Sequence, residues 1–425
     1  MKIDTEQGKT LLVDGPASVK LLSGNLTVLG APFSAKKTLV VRQGKRLPLW
    51  VKTTSCVEVL LGEGACVNEV EDDTINIWSH AAGELLSIDK PVIVMIIGGV
   101  DTGKTSFGTF LVNSAVKMNL KTGIIDADLG QSDVGPPSTI GFNIVSEPIN
   151  DLFEVDVKDA IFVGSTSPSG VLDEVTFGIN YIKDKLVADG VDFIVINTDG
   201  WIREKAAEYK TKLVKSIAPS AIVGMQAENE LDEILDDLVN SKVLVIKSPK
   251  LIHPRNRETR KQLRELSYRK YMKGAKIQSL SFKWVKVRNS ILGSGSPLHH
   301  NLLNILCNML GVRIVYSEES VNDVLVVLKK SEKIPEKRIK EAEQYCGKAI
   351  KVLWEGDEKG LLVGLLDDQN HFLGIGILDQ VDYKRKILKI YTPVKMKISS
   401  LIFGHVKLNR NFQEIGLSTI YSKNL

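Results

Sequence analysis

The chain has 425 residues, 43% of them apolar and 25% charged, so it is a folded globular protein of two or three domains and not a disordered one. No apolar stretch is long enough to span a bilayer, and Met1, Lys2, Ile3, Asp4, Thr5 and Glu6 form no signal-peptide core, which points to the cytoplasm, or to the nucleus in a eukaryote. The net charge is only +4, and the four cysteines, Cys56, Cys66, Cys307 and Cys346, form no C-x-x-C pair, which argues against a zinc or disulfide framework.

Residues 1–88 read as a β-rich N-terminal domain. Short apolar runs at residues 11–13, 19–22, 26–29 and 38–41 are separated by Gly, Pro, Ser or Asn turns, as in a small sandwich or barrel. Asp89, Lys90 and Pro91 mark a boundary. Residues 89–275 alternate strand-like and helix-like segments. The strands fall near residues 92–97, 123–128, 160–164, 193–197 and 243–246, a pattern that predicts an α/β domain with a mostly parallel sheet covered on both faces. Ligands of such sheets bind beyond the carboxyl ends of the strands. Residues 276–425 return to short strands with Gly-rich turns and two helices, near residues 299–309 and 336–345, and predict a small mixed β-rich C-terminal domain. His299 and His300 read as part of a solvated loop rather than as metal ligands.

The first strand runs into Gly98, Gly99, Val100, Asp101, Thr102, Gly103, Lys104, Thr105 and Ser106, which contains G-x-x-x-x-G-K-T ahead of a helix. Backbone N–H groups of such a loop converge on phosphate oxygens, and the helix N-terminus adds its positive end. Lys104 is expected to reach the outer phosphates from a surface loop, and the Thr105 hydroxyl to bind Mg²⁺. The second strand ends in Asp126 and Asp128, followed by Gln131. Two carboxylates at i and i+2 suit a pair of tasks, one in the Mg²⁺ shell beside Thr105 and the other as acceptor of a hydroxyl proton; a kinase reading gives the first to Asp126 and the second to Asp128. The hydroxyls of Thr166 and Ser167, after the third strand, suit phosphate or nucleic-acid backbone contacts. Trp201, after the next strand, is placed to stack on a base.

Charge is concentrated in one place. Residues 250–276 hold ten Lys or Arg and two Glu, a net of +8, which leaves the other 398 residues at −4. Such asymmetry marks a local polyanion site. On a helix, Arg257, Arg260 and Arg264 share one face.

In this order, the phosphate loop, the Asp-x-Asp-x-Gly-Gln run, the Ser/Thr-Pro loop, the Thr-x-Gly-Trp run and the Arg-rich segment resemble the Clp1/Grc3 family of polynucleotide 5′-hydroxyl kinases. The resemblance implies a P-loop NTPase domain between two β-rich domains, ATP and Mg²⁺ as cofactors, and transfer of the γ-phosphate to RNA 5′-hydroxyl ends. It implies a phosphate lid formed by Arg255 and Arg260, with Arg257 and Arg264 as competitors for that role. It also implies a substrate clasp at Thr166 and Ser167, a base-stacking Trp201, and an adenine contact from the N-terminal domain that the sequence does not assign to residues. DNA as an acceptor, protein partners in RNA processing, a non-catalytic ATP-bound scaffold, and an ATPase or GTPase acting on water stay open at this point. No Asn/Thr-Lys-x-Asp motif follows the later strands, which disfavours GTP.

Overall fold

A computed structural model describes residues 1–238, 241–251, 254–290, 292–293 and 295–418. The apolar run after Pro91 forms the strand β1 (Val92–Gly98), in which only Ile93 is partly exposed. It lies inside a seven-stranded sheet with β2 (Thr122–Ala127), β3 (Thr139–Val145), β4 (Asp159–Phe162), β5 (Phe193–Thr198), β6 (Ala221–Gln226) and β7 (Val243–Lys247), in the order β4-β3-β2-β5-β1-β6-β7. The strands β2, β5, β1, β6 and β7 are parallel. Their residues alternate between two cores. Val94, Ile96, Ile124 and Val195 pack with Phe107 and Leu111 on one face, and Met95, Ile97, Ile125 and Ile196 pack with Ile179 and Leu213 on the other. Helices Lys104–Lys117, Leu172–Ala188 and Ala206–Ile217 supply this cover.

Two strands depart from the parallel expectation. The strand expected at residues 160–164 is the antiparallel edge strand β4, and β3, antiparallel to β2, was not expected at all. Pro136 and Pro137 ahead of β3 and Gly141 within it read as loop residues, yet its Thr139, Ile140, Gly141 and Phe142 are buried.

The N-terminal sheet has seven strands and is dominated by Ala17–Val28 and Arg46–Leu61. The two apolar runs at 19–22 and 26–29 are one strand, with irregular pairing around Ser23 and Asn25. Residues 1–88 are not all-β, because Thr74–Leu86 is a helix. Its buried Trp78, Ala81, Ala82 and Leu85 follow helical spacing, and Trp78 packs edge-on against Phe107 and at a tilt against Phe110. This sheet, the helix and one face of the central sheet share a single apolar cluster. Accordingly, residues Met1–Val163 and Ser167–Ser267 form one compact unit, while Gly164–Thr166 group with the chain from Tyr268 onward.

That second unit contains a seven-stranded sheet around Leu361–Leu366 and Ser400–Leu408, and a four-stranded sheet with helices His300–Leu310 and Glu336–Cys346. Both helices fall where the sequence placed them, but His299 caps the first and His300 opens it, so this pair is not a loop.

Candidate active site

The three strands β2, β5 and β1 are neighbours, and the polar residues expected to carry chemistry sit at their carboxyl ends. The chain passes from β1 to β2 on one side and from β5 to β6 on the other, so the crevice lies where the order reverses. After β1, Asp101 adopts φ 57° and Gly103 φ 93°, which turn the loop into helix Lys104–Lys117. A side chain at Gly103 would strain this turn. Gly200 has a different constraint: a Cβ there would come within 2.8 Å of the Val100 backbone, so the turn after β5 is pressed against the tip of the phosphate loop.

Lys104 is not on the surface, as expected, but 6% exposed, with Nζ donating to the Gly99 carbonyl at 2.6 Å. Burial pushes its pKa down to about 8. Asp128 opposes that shift, while Lys210 adds to it. Thr105 and Ser106 are half-buried at the helix start.

The two carboxylates have different surroundings. Asp126 is fully buried. Its Oδ2 accepts from the backbone N–H of Asp133 at 2.7 Å and of Val134 at 3.1 Å. Its Oδ1 accepts from Asn197 Nδ2 at 3.0 Å and from the Asp128 N–H at 3.3 Å. A carboxylate has about four lone-pair sites, and all are used. Asp126 therefore does not face a cation directly, as its spacing suggested. It fixes Asn197, whose Nδ2 also reaches Thr105 Oγ1 at 3.3 Å. Burial pushes the Asp126 carboxyl up to about 7, and the Asp133 and Asp128 charges add to this. Asp128, half-buried beyond the strand end, accepts from Gly130 and Gln131 N–H groups on Oδ1 at 3.1 and 3.0 Å. Burial raises its pKa as well, and Lys104 counters that.

After β5, Asp199 pairs with the buried Lys210 at 2.8 Å and accepts from the Trp201 N–H at 2.9 Å. Trp201 is half-buried and stacks on Tyr209 with centroids 5.9 Å apart.

The basic segment begins outside its helix, Arg257–Tyr271. Arg255 grips the phosphate loop: Nε and one terminal nitrogen reach Asp101 Oδ1 at 2.7 and 2.6 Å, and the Arg255 N–H reaches Oδ2 at 2.9 Å. The Arg260 carbonyl accepts from Gln131 Nε2 at 3.2 Å. Arg264 lines a cleft with Gln131 and Arg255, whereas Arg257 is exposed and is not among the residues lining it. The loop from Gly164 to Thr166 is counted with the second unit, where Gly164 accepts from the His405 N–H at 2.8 Å. Ser167 is exposed and accepts from the Ser169 N–H at 3.3 Å.

Sequence reasoning missed Asn197, Lys210, Arg42 and Lys45. Asn197 was legible in principle, as a polar residue ending a buried strand. Arg42 and Lys45 carry no local signal, because they meet the site only through the fold.

A phosphate loop at the end of β1, carboxylates at the end of β2 and a polar turn at the end of β5 define a P-loop NTPase domain. Residues 98–274 match the family described as "mRNA cleavage and polyadenylation factor CLP1 P-loop". The chain is 28% identical to a polyribonucleotide 5′-hydroxyl kinase of Methanocaldococcus jannaschii, over 85% of this chain and 98% of that one. It is 27% identical to a polyribonucleotide 5′-hydroxyl kinase of Pyrococcus furiosus, over 80% and 94%. A CLP1 homologue of Nematostella vectensis is 24% identical over 89% and 88%. Among solved structures, Clp1p from its complex with Pcf11p has the same fold, with TM-score 0.66, 14% identity, and coverage of 96% of this chain and 97% of that one. No helix among the described residues is long and apolar enough to cross a membrane.

Proposed function

We propose that this chain is an ATP-dependent kinase that transfers the γ-phosphate to the 5′-hydroxyl end of RNA. The observation that carries the reading is the pairing of tasks at the strand ends flanking β5: a buried phosphate-loop cation, Lys104, and a carboxylate, Asp128, that feel each other's charge, with one Asp128 oxygen unbonded among the described residues. The names of the archaeal relatives point the same way. In the proposed step the acceptor 5′-oxygen forms a bond to the γ-phosphorus, the bond to the β–γ bridging oxygen breaks, ADP leaves, and Asp128 takes the hydroxyl proton. Lys104, Arg255 and Arg260 neutralise the charge spread over the transferring group.

The residues present suit Mg²⁺. Thr105 would supply a hydroxyl ligand, Asp126 stands behind it through Asn197, and the buried Asn197 Oδ1 has no partner among the described residues. When bound, Mg²⁺ offsets phosphate charge; hard oxygen ligands with few carboxylates are its usual surroundings. Four free cysteines fit a reducing compartment such as the cytoplasm. DNA as a second acceptor and protein partners in RNA processing belong to the same reading. The test is γ-labelled ATP with a 5′-hydroxyl oligoribonucleotide and its DNA counterpart. Label on the oligonucleotide supports a kinase, free phosphate an ATPase, and neither a scaffold.

Two variants refine the assignment. Trp201→Ala raises KM for the oligonucleotide by roughly tenfold, the value of one lost base stack, and leaves KM for ATP unchanged. A fall in melting temperature with unchanged oligonucleotide binding would make Trp201 only the lid over Tyr209. Arg255→Lys lowers kcat on the order of tenfold or more, because Lys offers phosphate a point charge in place of a planar fork. Arg257→Lys, at the exposed position, changes only oligonucleotide affinity. Equal turnover in both variants would show that the segment merely attracts RNA.

A further inference from the structure

A cleft beside Asp128 shares Arg255 with the donor site, and its other cations have no role in the chemistry described so far. It is open to solvent and is lined by Arg42, Lys45, Gln131, Asp133, Arg255 and Arg264, among others. Arg42 and Lys45 come from the turn before strand Arg46–Leu61, so the N-terminal sheet contributes directly to this wall. Lys45 Nζ meets Asp133 Oδ2 at 2.6 Å, and Arg42 meets Asp133 Oδ1 at 3.4 Å. Arg42 also holds Asp151 at 2.9 Å and lies 3.7 Å above the Phe153 ring. Both carboxylates are buried, at 5% and 7% exposure. Burial alone would raise the Asp133 carboxyl, but Lys45 and Arg42 outweigh it and hold the group below its usual range. These contacts fix two cations in place before any ligand arrives. Lys45 spends one of its three N–H donors on Asp133. Four cations face the cleft. Asp101, Asp133 and Asp151 are set against them.

Position narrows the ligand. Gly130 and Gln131, whose N–H groups hold Asp128 Oδ1, form part of the cleft wall. A 5′-hydroxyl delivered to Asp128 has its own 3′-phosphodiester one ribose away. We propose that the cleft is the subsite for the first phosphodiester of the acceptor strand, with Lys45 and Arg42 as the residues that make a polynucleotide, rather than a nucleoside, the preferred acceptor. The assignment rests on the kinase reading above and adds the chemistry that selects its substrate.

The test compares two 5′-hydroxyl oligoribonucleotides, one natural and one with a single neutral methylphosphonate at the first linkage. For the wild-type chain the neutral linkage raises KM on the order of tenfold, the scale of losing a charge-assisted phosphate contact. Lys45→Gln shows the same rise with the natural strand and no further rise with the neutral one. It also lowers the salt slope of oligonucleotide binding by about one. Its kcat and its KM for ATP stay unchanged. Arg42→Lys, which keeps a charge for Asp133 and Asp151, is the second variant, and melting curves report folding for both. Equal losses by Lys45→Gln on the two strands overturn the subsite. So does a changed KM for ATP, which would give the cleft to donor phosphates, or a wild-type chain indifferent to the linkage. A wild-type chain that labels neither strand overturns the kinase reading itself. Should Lys45→Gln fail to fold, the wild-type comparison of the two strands decides alone.

Discussion

Replacing Lys104 with Met severely impairs phosphoryl transfer and raises the melting temperature of the nucleotide-free protein. The two effects have one cause. Lys104 is 6% exposed, and the Gly99 carbonyl is the one hydrogen-bond acceptor of its ammonium among the described residues. Burial lowers its pKa from 10.5 to about 8. The unfolded chain therefore binds this proton more tightly than the folded one. Stability rises with pH between about 8 and 10.5, and the full cost is present at pH 7. At 1.36 kcal/mol per tenfold, that cost is about 3 kcal/mol. Met keeps most of the stem volume and removes the charge. Activity falls on the order of 10³-fold, because a preorganised donor to the transferring group is gone. Transfer assays and melting curves at pH 7 check both effects. Unchanged turnover would remove the phosphate-loop assignment, and a lower melting temperature would remove the account of a strained buried charge.

Asp128→Asn lowers kcat by about 10²- to 10⁴-fold and leaves KM for ATP nearly unchanged. The amide keeps the contacts of Oδ1 with the Gly130 and Gln131 N–H groups and loses the proton acceptor. In the wild-type chain Asp128 works ionised, and its pKa lies above the usual 3.8. Turnover accordingly falls as pH drops through that raised value. Lys104 works charged, so kcat/KM for ATP falls as pH rises through about 8. The variant keeps the alkaline limb and loses the acid one. If Asp126→Asn shows this phenotype instead, while Asp128→Asn changes only the response to Mg²⁺, the two carboxylates exchange roles.

The parts of the site that could be read from sequence are those made by neighbours in the chain. Gly98 to Ser106 had to follow a strand and open a helix, and Asp126, Asp128 and Trp201 had to fall near strand ends. What stayed hidden depends on distant partners. That Asp126 has its lone pairs filled follows from Asp133, Val134 and Asn197 closing over β2, and Lys104 is turned inward onto the Gly99 carbonyl. Arg42 reaches Asp133 across 91 positions of sequence. The helix Thr74–Leu86 had helical spacing but lay inside a stretch whose earlier runs all read as strands. β3 was masked by its Pro and Gly.

The shared apolar cluster has a consequence for how this protein can be dissected or inherited. Buried Asn113 binds the carbonyls of Leu29 and Ile149, both at 2.8 Å, and thereby ties the first sheet to the phosphate-loop helix. Trp78 fills the space beside Phe107 and Phe110. Removing residues 1–88 would strip that helix of its cover and bare a greasy wall. Nucleotide site and N-terminal sheet should unfold together, resist proteases together, and pass between genomes as one indivisible piece.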